Sequence, residues 1–194
     1  DRTVAVQLLA INDLHGHLEP PSGPNGRINS IEAGGAEYLA THLKNAIAEH
    51  PHSIVVAAGD LVGASPLASS MFHDEPTIEV MNAIGLDISA LGNHEFDRGV
   101  AHLLRLANGG CQAQPTANQQ TCAGITGKFS GARFSFLAAN VSYRENEQPI
   151  VPPTWIKSID GVRIGFIGAV TRATPGIVVP GGVAGVRFVA EAKA

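Results

Sequence analysis

The chain has 194 residues, 44% of them hydrophobic and only 15% charged, with a formal net charge of -4. That length suits one domain or a piece of a larger one, with enough apolar content for a packed core. The slight acidic excess argues against broad binding to nucleic acid or acidic membranes, and no apolar stretch is long enough to span a bilayer. So low a charge content also suggests that some surface is covered by protein outside this sequence. The first residue is Asp1 rather than Met. It reads as a processed or engineered start, with an export signal already removed.

In chain order, residues 4–11 form a near-continuous apolar run, suited to a strand covered on both faces. Residues 18–35 are rich in Pro, Gly, Asn and Ser and read as a long loop. Leu39, Leu43, Ala46 and Ile47 then recur at helical spacing, ending near His50-Pro51. Residues 53–58 give a second strand, followed by a small-residue loop through Gly63 and Pro66. A short helix starts near Pro76 with Ile78, Met81 and Ile84 turned inward, because Pro is tolerated in a first turn. Residues 87–91 make a third strand. Val100, Leu103, Leu104 and Ala107 mark another helix, stopped by Asn108-Gly109-Gly110.

Cys111 and Cys122, the only cysteines, bound a polar stretch without periodicity. In an oxidising compartment they would close a disulfide contributing about 3 kcal/mol; in a reducing one they would stay as two thiols. Residues 134–141 read as a strand, and 155–159 and 162–170 as two more joined by an Asp160-Gly161 hairpin turn. Residues 188–194 read as a helix that begins and then stops. Alternating strands and helices indicate a layered α/β domain with an antiparallel hairpin added late, cut off mid-element.

Three stretches carry the chemistry: Asn12-Asp13-Leu14-His15-Gly16-His17, Gly59-Asp60, and Gly92-Asn93-His94-Glu95-Phe96-Asp97. Each directly follows a strand, where open α/β sheets place their ligands. On an extended segment Asp13 and His15 point the same way and can meet one cation; the alternative is a turn Asp beside a surface His. Asp60 has two oxygens and can bridge two metals, or it can cap a turn. Asn93 offers a neutral carbonyl oxygen, and His94 can carry a proton with Asp97 accepting its ring N–H. The alternatives are a turn Asn, a solvated His and a helix-capping Asp. Glu95 reads as solvated or structural.

Taken together, these motifs resemble the calcineurin-like metallophosphoesterases, and more narrowly their branch of 5′-nucleotidases, 2′,3′-cyclic phosphodiesterases and UDP-sugar hydrolases. Residues 137–141 and 161–168 extend the likeness, which runs to about Thr171. The resemblance implies a layered α/β sandwich of mixed β-sheets flanked by helices, of which residues 1–194 are the N-terminal part. It also implies two divalent metal ions (Zn, Mn, Co, Fe or Mg), with Asp13 and His15 on one, Asp60 bridging and Asn93 on the other. His94 and Asp97 would be the catalytic dyad, and His17 a supporting residue. A metal pair about 3.5–4 Å apart activates a shared water for in-line attack on a phosphoester.

The family supplies further histidines from later segments, whereas no His follows His102 here. A nucleotide-binding C-terminal domain is also missing, so the expectation is a proteolytic, natural or deliberate fragment that alone binds metal weakly and turns over poorly. The leading expectation is a periplasmic, cell-wall or secreted 5′-nucleotidase-like hydrolase of nucleotides or other small phosphoesters. Cyclic 2′,3′-nucleotide phosphodiesterase, UDP-sugar hydrolase and, more distantly, sulfur-ester hydrolase activities are the alternatives within the class. A non-catalytic secreted binding protein of the same fold is the alternative outside it. Residues that bind the substrate's organic part are not identifiable.

Overall fold

The computed structural model describes residues 3–112, 120–124 and 126–194. Strand β1 (Gln7–Ile11) is followed by a small hairpin of β2 (Arg27–Ile28) and β3 (Ile31–Glu32), then helix α1 (Ala36–Glu49) and β4 (Ser53–Ala57). Next come α2 (Leu67–Ser70), α3 (Glu75–Ile84), β5 (Ile88–Ala90), α4 (Val100–Asn108) and β6 (Ser135–Leu137). The described chain finishes with β7 (Val141–Tyr143), β8 (Thr154–Ile159), β9 (Val162–Ile167) and β10 (Val186–Phe188).

Four strands form one sheet in the order β1-β4-β5-β6, every neighbouring pair parallel. Parallel neighbours need a crossover, and each crossover here carries a helix, as the alternation in the sequence requires. All four strands therefore end at the same edge, and the loops leaving that edge hold the three motifs. Antiparallel pairing is segregated into separate two-stranded sheets, β2–β3, β7–β10 and β8–β9. The core lies between sheet and helices. Ile54, Leu61, Ile78, Met81, Leu91, Phe96, Leu103 and Leu106 are all at most 1% exposed.

Several expectations need correction. Strand β1 starts at Gln7, not at residue 4, and is covered on one face only: Leu8 is 55% exposed and Ala10 is exposed. It sits at the edge of its sheet, paired with β4 alone, so the apolar run does not mark a strand buried on both sides. The loop at 18–35 contains the β2–β3 hairpin, turned by Asn29 and Ser30 with φ of 51° and 66°. The short helix α2 lies where only a loop was expected.

The run at 134–141 is two strands. The amides of Ala138 and Ala139 donate to Pro152 and Gly168 carbonyls, which pulls the chain out of the parallel sheet before β7 begins. Buried Asn140 fixes this departure: its Nδ2 donates to the carbonyls of Val170 (2.6 Å) and Val189 (3.1 Å), and its Oδ1 accepts the Val170 amide. Residues 188–194 are not a starting helix. Phe188 closes β10, and only a single turn at Glu191–Lys193 follows.

Candidate metal centre

The first loop is built as a continuation of the β1–β4 ladder. Past the strand ends, Asp13 N donates to Gly59 O, His15 N to Asp60 O and Gly16 N to Leu61 O. The first two motifs are thus laid side by side by backbone alone. Asp13, His15 and Asp60 adopt φ of 51°, 45° and 49°. The segment is therefore not extended, as residue spacing predicts, but sharply turned. Left-handed backbone at residues other than Gly costs free energy and collects at functional sites.

The turn nevertheless brings Asp13 Oδ1 to 3.8 Å from His15 Nε2, with Asp13 at the exposed rim, where Asn12 Nδ2 donates to its Oδ2. His15 Nδ1 lies 2.9 Å from Gly63 O. A carbonyl only accepts, so Nδ1 must carry the hydrogen, and Nε2 is left as a lone-pair donor for a cation. His17 Nδ1 donates to His15 O and braces the same turn.

Asp60 and His94 come from the ends of β4 and β5. Asp60 Oδ1 accepts the His94 backbone amide at 2.9 Å. Gly92 permits this approach, because a Cβ there would overlap the Asp60 carboxylate. Ligand atoms of His15, Asp60 and His94 all lie within 4.8 Å of one another, and the two imidazoles meet edge to face at 4.8 Å between centroids. Three strand ends thus converge on one half-buried point with two imidazoles and a carboxylate, a donor set that suits a transition-metal ion.

His94 Nδ1 donates to Asp97 Oδ2 at 2.7 Å, which fixes the tautomer and leaves Nε2 facing the cluster. Burial works against the charged ring, but the Asp97 hydrogen bond and charge, with Asp60 and Glu95 nearby, outweigh it and hold the imidazole above its ordinary range. Gly63, at φ 85°, leaves room for this pair; a Cβ there would come within 2.7 Å of Asp97 Oδ2. Asn93 is half-buried between Gly92 and His94 and starts the short turn His94–Phe96.

Of the two readings for Glu95, the structural one holds and the solvated one does not. The residue is 1% exposed, and its carboxylate accepts the amides of Asp60 (3.0 Å), Leu61 (2.9 Å) and Gly92 (2.6 Å). Burial pushes its pKa up to about 7, with the three amides pulling the other way. Sequence pattern does not show this role because two of its three partners are backbone amides of another loop. The available hint was a charged residue between the catalytic-type His94 and the apolar Phe96.

Behind the dyad lies a cavity of about 200 Å³ lined in part by Ser65, Asp74, His94, Asp97, Arg98 and His102. His102 approaches His73, centroids 5.9 Å apart, and Arg98 Nη1 donates to His73 Nδ1. Burial and the charges of Arg105 and Arg98 lower the His102 pKa to about 3, and His73 is lowered by burial and the same arginines. Arg105 also pairs with buried Glu75 at 2.6 Å, and Glu75 accepts the Cys122 amide. Cys111 and Cys122 are joined in a disulfide, with Cα atoms 5.5 Å apart. Of the stretch they enclose, 112–121, residues 113–119 lie outside the described residues. A larger hollow, about 670 Å³, opens at the amino ends of β1 and β4 around Thr3–Gln7 and His50–His52. It is far along the strands from the three motifs, so volume and chemistry do not coincide.

The model of the calcineurin-like phosphoesterase family matches residues 6–160. An uncharacterized protein in the pqq-V 5′ region of Acinetobacter calcoaceticus is 48% identical over 166 residues, 81% of this chain and 80% of that protein. An endonuclease of Bacillus subtilis is 36% identical over 98% of the chain, and a cell wall protein of Listeria monocytogenes 35% over 98%. The chain spans only 15% and 25% of these two. Among solved structures, the NAD nucleotidase of Haemophilus influenzae superposes with a TM-score of 0.72 at 27% identity, over 96% of this chain and 30% of that one. A 5′-nucleotidase precursor of Thermus thermophilus gives 0.73 at 25%, over 97% and 32%.

Proposed function

Because the chain belongs to the calcineurin-like phosphoesterase family, we propose that it is the N-terminal, metal-ligating part of a hydrolase that cleaves nucleotide phosphoesters. Asp13 and His15 would hold one divalent cation and Asn93 a second, with Asp60 shared between them. Bound there, the cations would supply an activated water and neutralise phosphoryl charge. The observation that carries this reading is the convergence of polar atoms of His15, Asp60 and His94 within 4.8 Å, from three strand ends, which sets the proposed acid beside two of the proposed ligands. The donor chemistry fits: His15 Nε2 is a lone pair by tautomer, and Asp60 keeps a carboxylate oxygen beyond the one used by the His94 amide. Zn, Mn, Co and Fe suit such mixed oxygen and nitrogen donors better than Mg, which favours oxygen alone.

His94, held by Asp97 and with its pKa raised by that partner, would steady developing charge or release a proton to the leaving oxygen. The four proposed ligands make a partial set, and the reading expects further histidines from outside it. A nucleotide substrate is supported by the likeness to the NAD nucleotidase and the 5′-nucleotidase precursor. A second reading, a phosphodiester substrate such as a cyclic 2′,3′-nucleotide, is favoured by the likeness to the Bacillus endonuclease. Placement in the periplasm, cell wall or medium is supported by the disulfide and by the Listeria cell wall relative.

The test is an assay of the complete gene product, loaded with Mn2+ or Zn2+, against AMP, cyclic 2′,3′-AMP and UDP-glucose. Hydrolysis of AMP, lost on chelation and in Asp60→Asn, is expected. Preference for the cyclic substrate would favour the second reading. Tight AMP binding without turnover of any of the three would instead identify a non-catalytic binding protein and overturn the proposal.

A further inference from the structure

We infer that Glu95 is a positioning residue that sets the distance between Asp60 and His94, an inference that rests on the reading of those two as site residues. The geometry is reciprocal. Glu95, on the β5 loop, sends its carboxylate across to the Asp60 and Leu61 amides of the β4 loop. Asp60, on the β4 loop, sends its own carboxylate back to the His94 amide of the β5 loop. Glu95 also closes on its own loop through the Gly92 amide at 2.6 Å. Two loops leaving neighbouring strands are thus cross-tied by two acidic side chains, one pointing each way.

The tie is centred on a buried group: the Leu61 bond is fully buried, and the Asp60, Gly92 and His94 bonds are half-buried around it. Glu95 is 1% exposed, and Leu61 beside it is fully buried. A buried amide left without an acceptor costs free energy, and removing this carboxylate would strand the buried Leu61 amide together with the half-buried amides of Asp60 and Gly92. Asp60 sits at φ 49°, a conformation it keeps only if its surroundings hold it there. With Glu95 accepting the Asp60 amide, that turn is pinned and the Asp60 carboxylate is aimed at the His94 end of the cluster. Groups that orient metal ligands commonly change metal affinity by about 10–100-fold when mutated. Glu95 touches neither cation nor substrate in this arrangement; it acts through Asp60 and His94.

Amide hydrogen exchange on the metal-free chain, with Glu95→Gln and Glu95→Ala beside the wild type, tests this directly. The isosteric Gln keeps one acceptor oxygen and turns an NH2 group toward an N–H, so it folds with a weakened tie. Exchange at Asp60, Leu61 and Gly92 is expected to quicken by about tenfold in Gln and more in Ala. The telling amide is His94, which bonds Asp60 and not Glu95 and is expected to quicken with them, while β4 and β5 strand amides stay unchanged. Mn2+ titration calorimetry is expected to show at least about tenfold weaker binding in both variants. An unchanged His94 amide, or equal acceleration throughout β4 and β5, would overturn the inference. Absence of Mn2+ binding by the complete wild-type gene product would count against the proposed function, and the exchange pattern would still decide the role of Glu95.

Discussion

Two pairs of histidines, His15 with His94 and His73 with His102, have opposite chemistry. His15 and His94 face each other at 4.8 Å among carboxylates, with Asp13, Asp60 and Asp97 around them. His73 and His102 lie 5.9 Å apart among guanidinium groups, with Arg98 and Arg105 beside them. The first environment gathers positive charge and holds His94 above its ordinary range. In the second, burial foremost and then the arginine charges drive His102 down to about 3. Residue type alone therefore does not make a metal centre. The sign of the neighbours decides which imidazole pair can accept a cation.

The largest expected effect separates the two pairs by activity. In the complete, metal-loaded gene product, His94→Ala should lower kcat by about 10²–10⁴-fold, the usual worth of a positioned acid or base, with metal content nearly intact. His102→Ala should leave kcat close to wild type. Equal losses in the two variants would erase the distinction. Steady-state kinetics with parallel metal analysis makes the measurement.

A smaller effect reads the second pair through stability. His102 has a folded pKa well below its unfolded value near 6.5, so the unfolded chain binds the proton more tightly between those limits. Its contribution is fully present above pH 6.5 and is lost as pH falls towards about 3. Urea unfolding from pH 7 to pH 4 should show a shallower acid-side loss in His102→Gln than in the wild type. Identical slopes would mean that the ring is not held neutral. The subtlest test removes one arginine: Arg98→Met should raise the His102 pKa, read by NMR titration of the ring, because one of the charges that depress it is gone. A ring that titrates unchanged would show that Arg98 does not contribute and that burial with Arg105 sets its value.

Much of this was legible in the sequence, for physical reasons specific to each part. The parallel strands β4 and β5 are short apolar runs bounded by turn residues, and the three motifs had to emerge where those strands stop. The Asp160-Gly161 turn fixed the β8–β9 hairpin locally, and Cys111 had only Cys122 to pair with. What stayed hidden depended on distant backbone. The left-handed turns at Asp13 and His15 are imposed by bonds to Gly59 and Asp60, more than 40 residues away. Glu95 looks like any loop acid until the Asp60 and Leu61 amides arrive to bury it. The break between β6 and β7 is invisible in an unbroken apolar run, because Pro152 and Gly168 carbonyls cause it.

Asn140 carries a liability of its own. Its two carbonyl partners require an NH2 group, and the Val170 amide requires the oxygen, so the side chain has one workable orientation. Hydrolytic ageing of that single amide to a carboxylate would swap a donor for an acceptor, setting oxygen against oxygen at two places in a site only 2% exposed. Three strands of chain, at 140, 170 and 189, would lose their common knot through the exchange of one nitrogen for one oxygen. The shelf life of this end of the molecule is therefore tied to how well its packing keeps water from a single side chain.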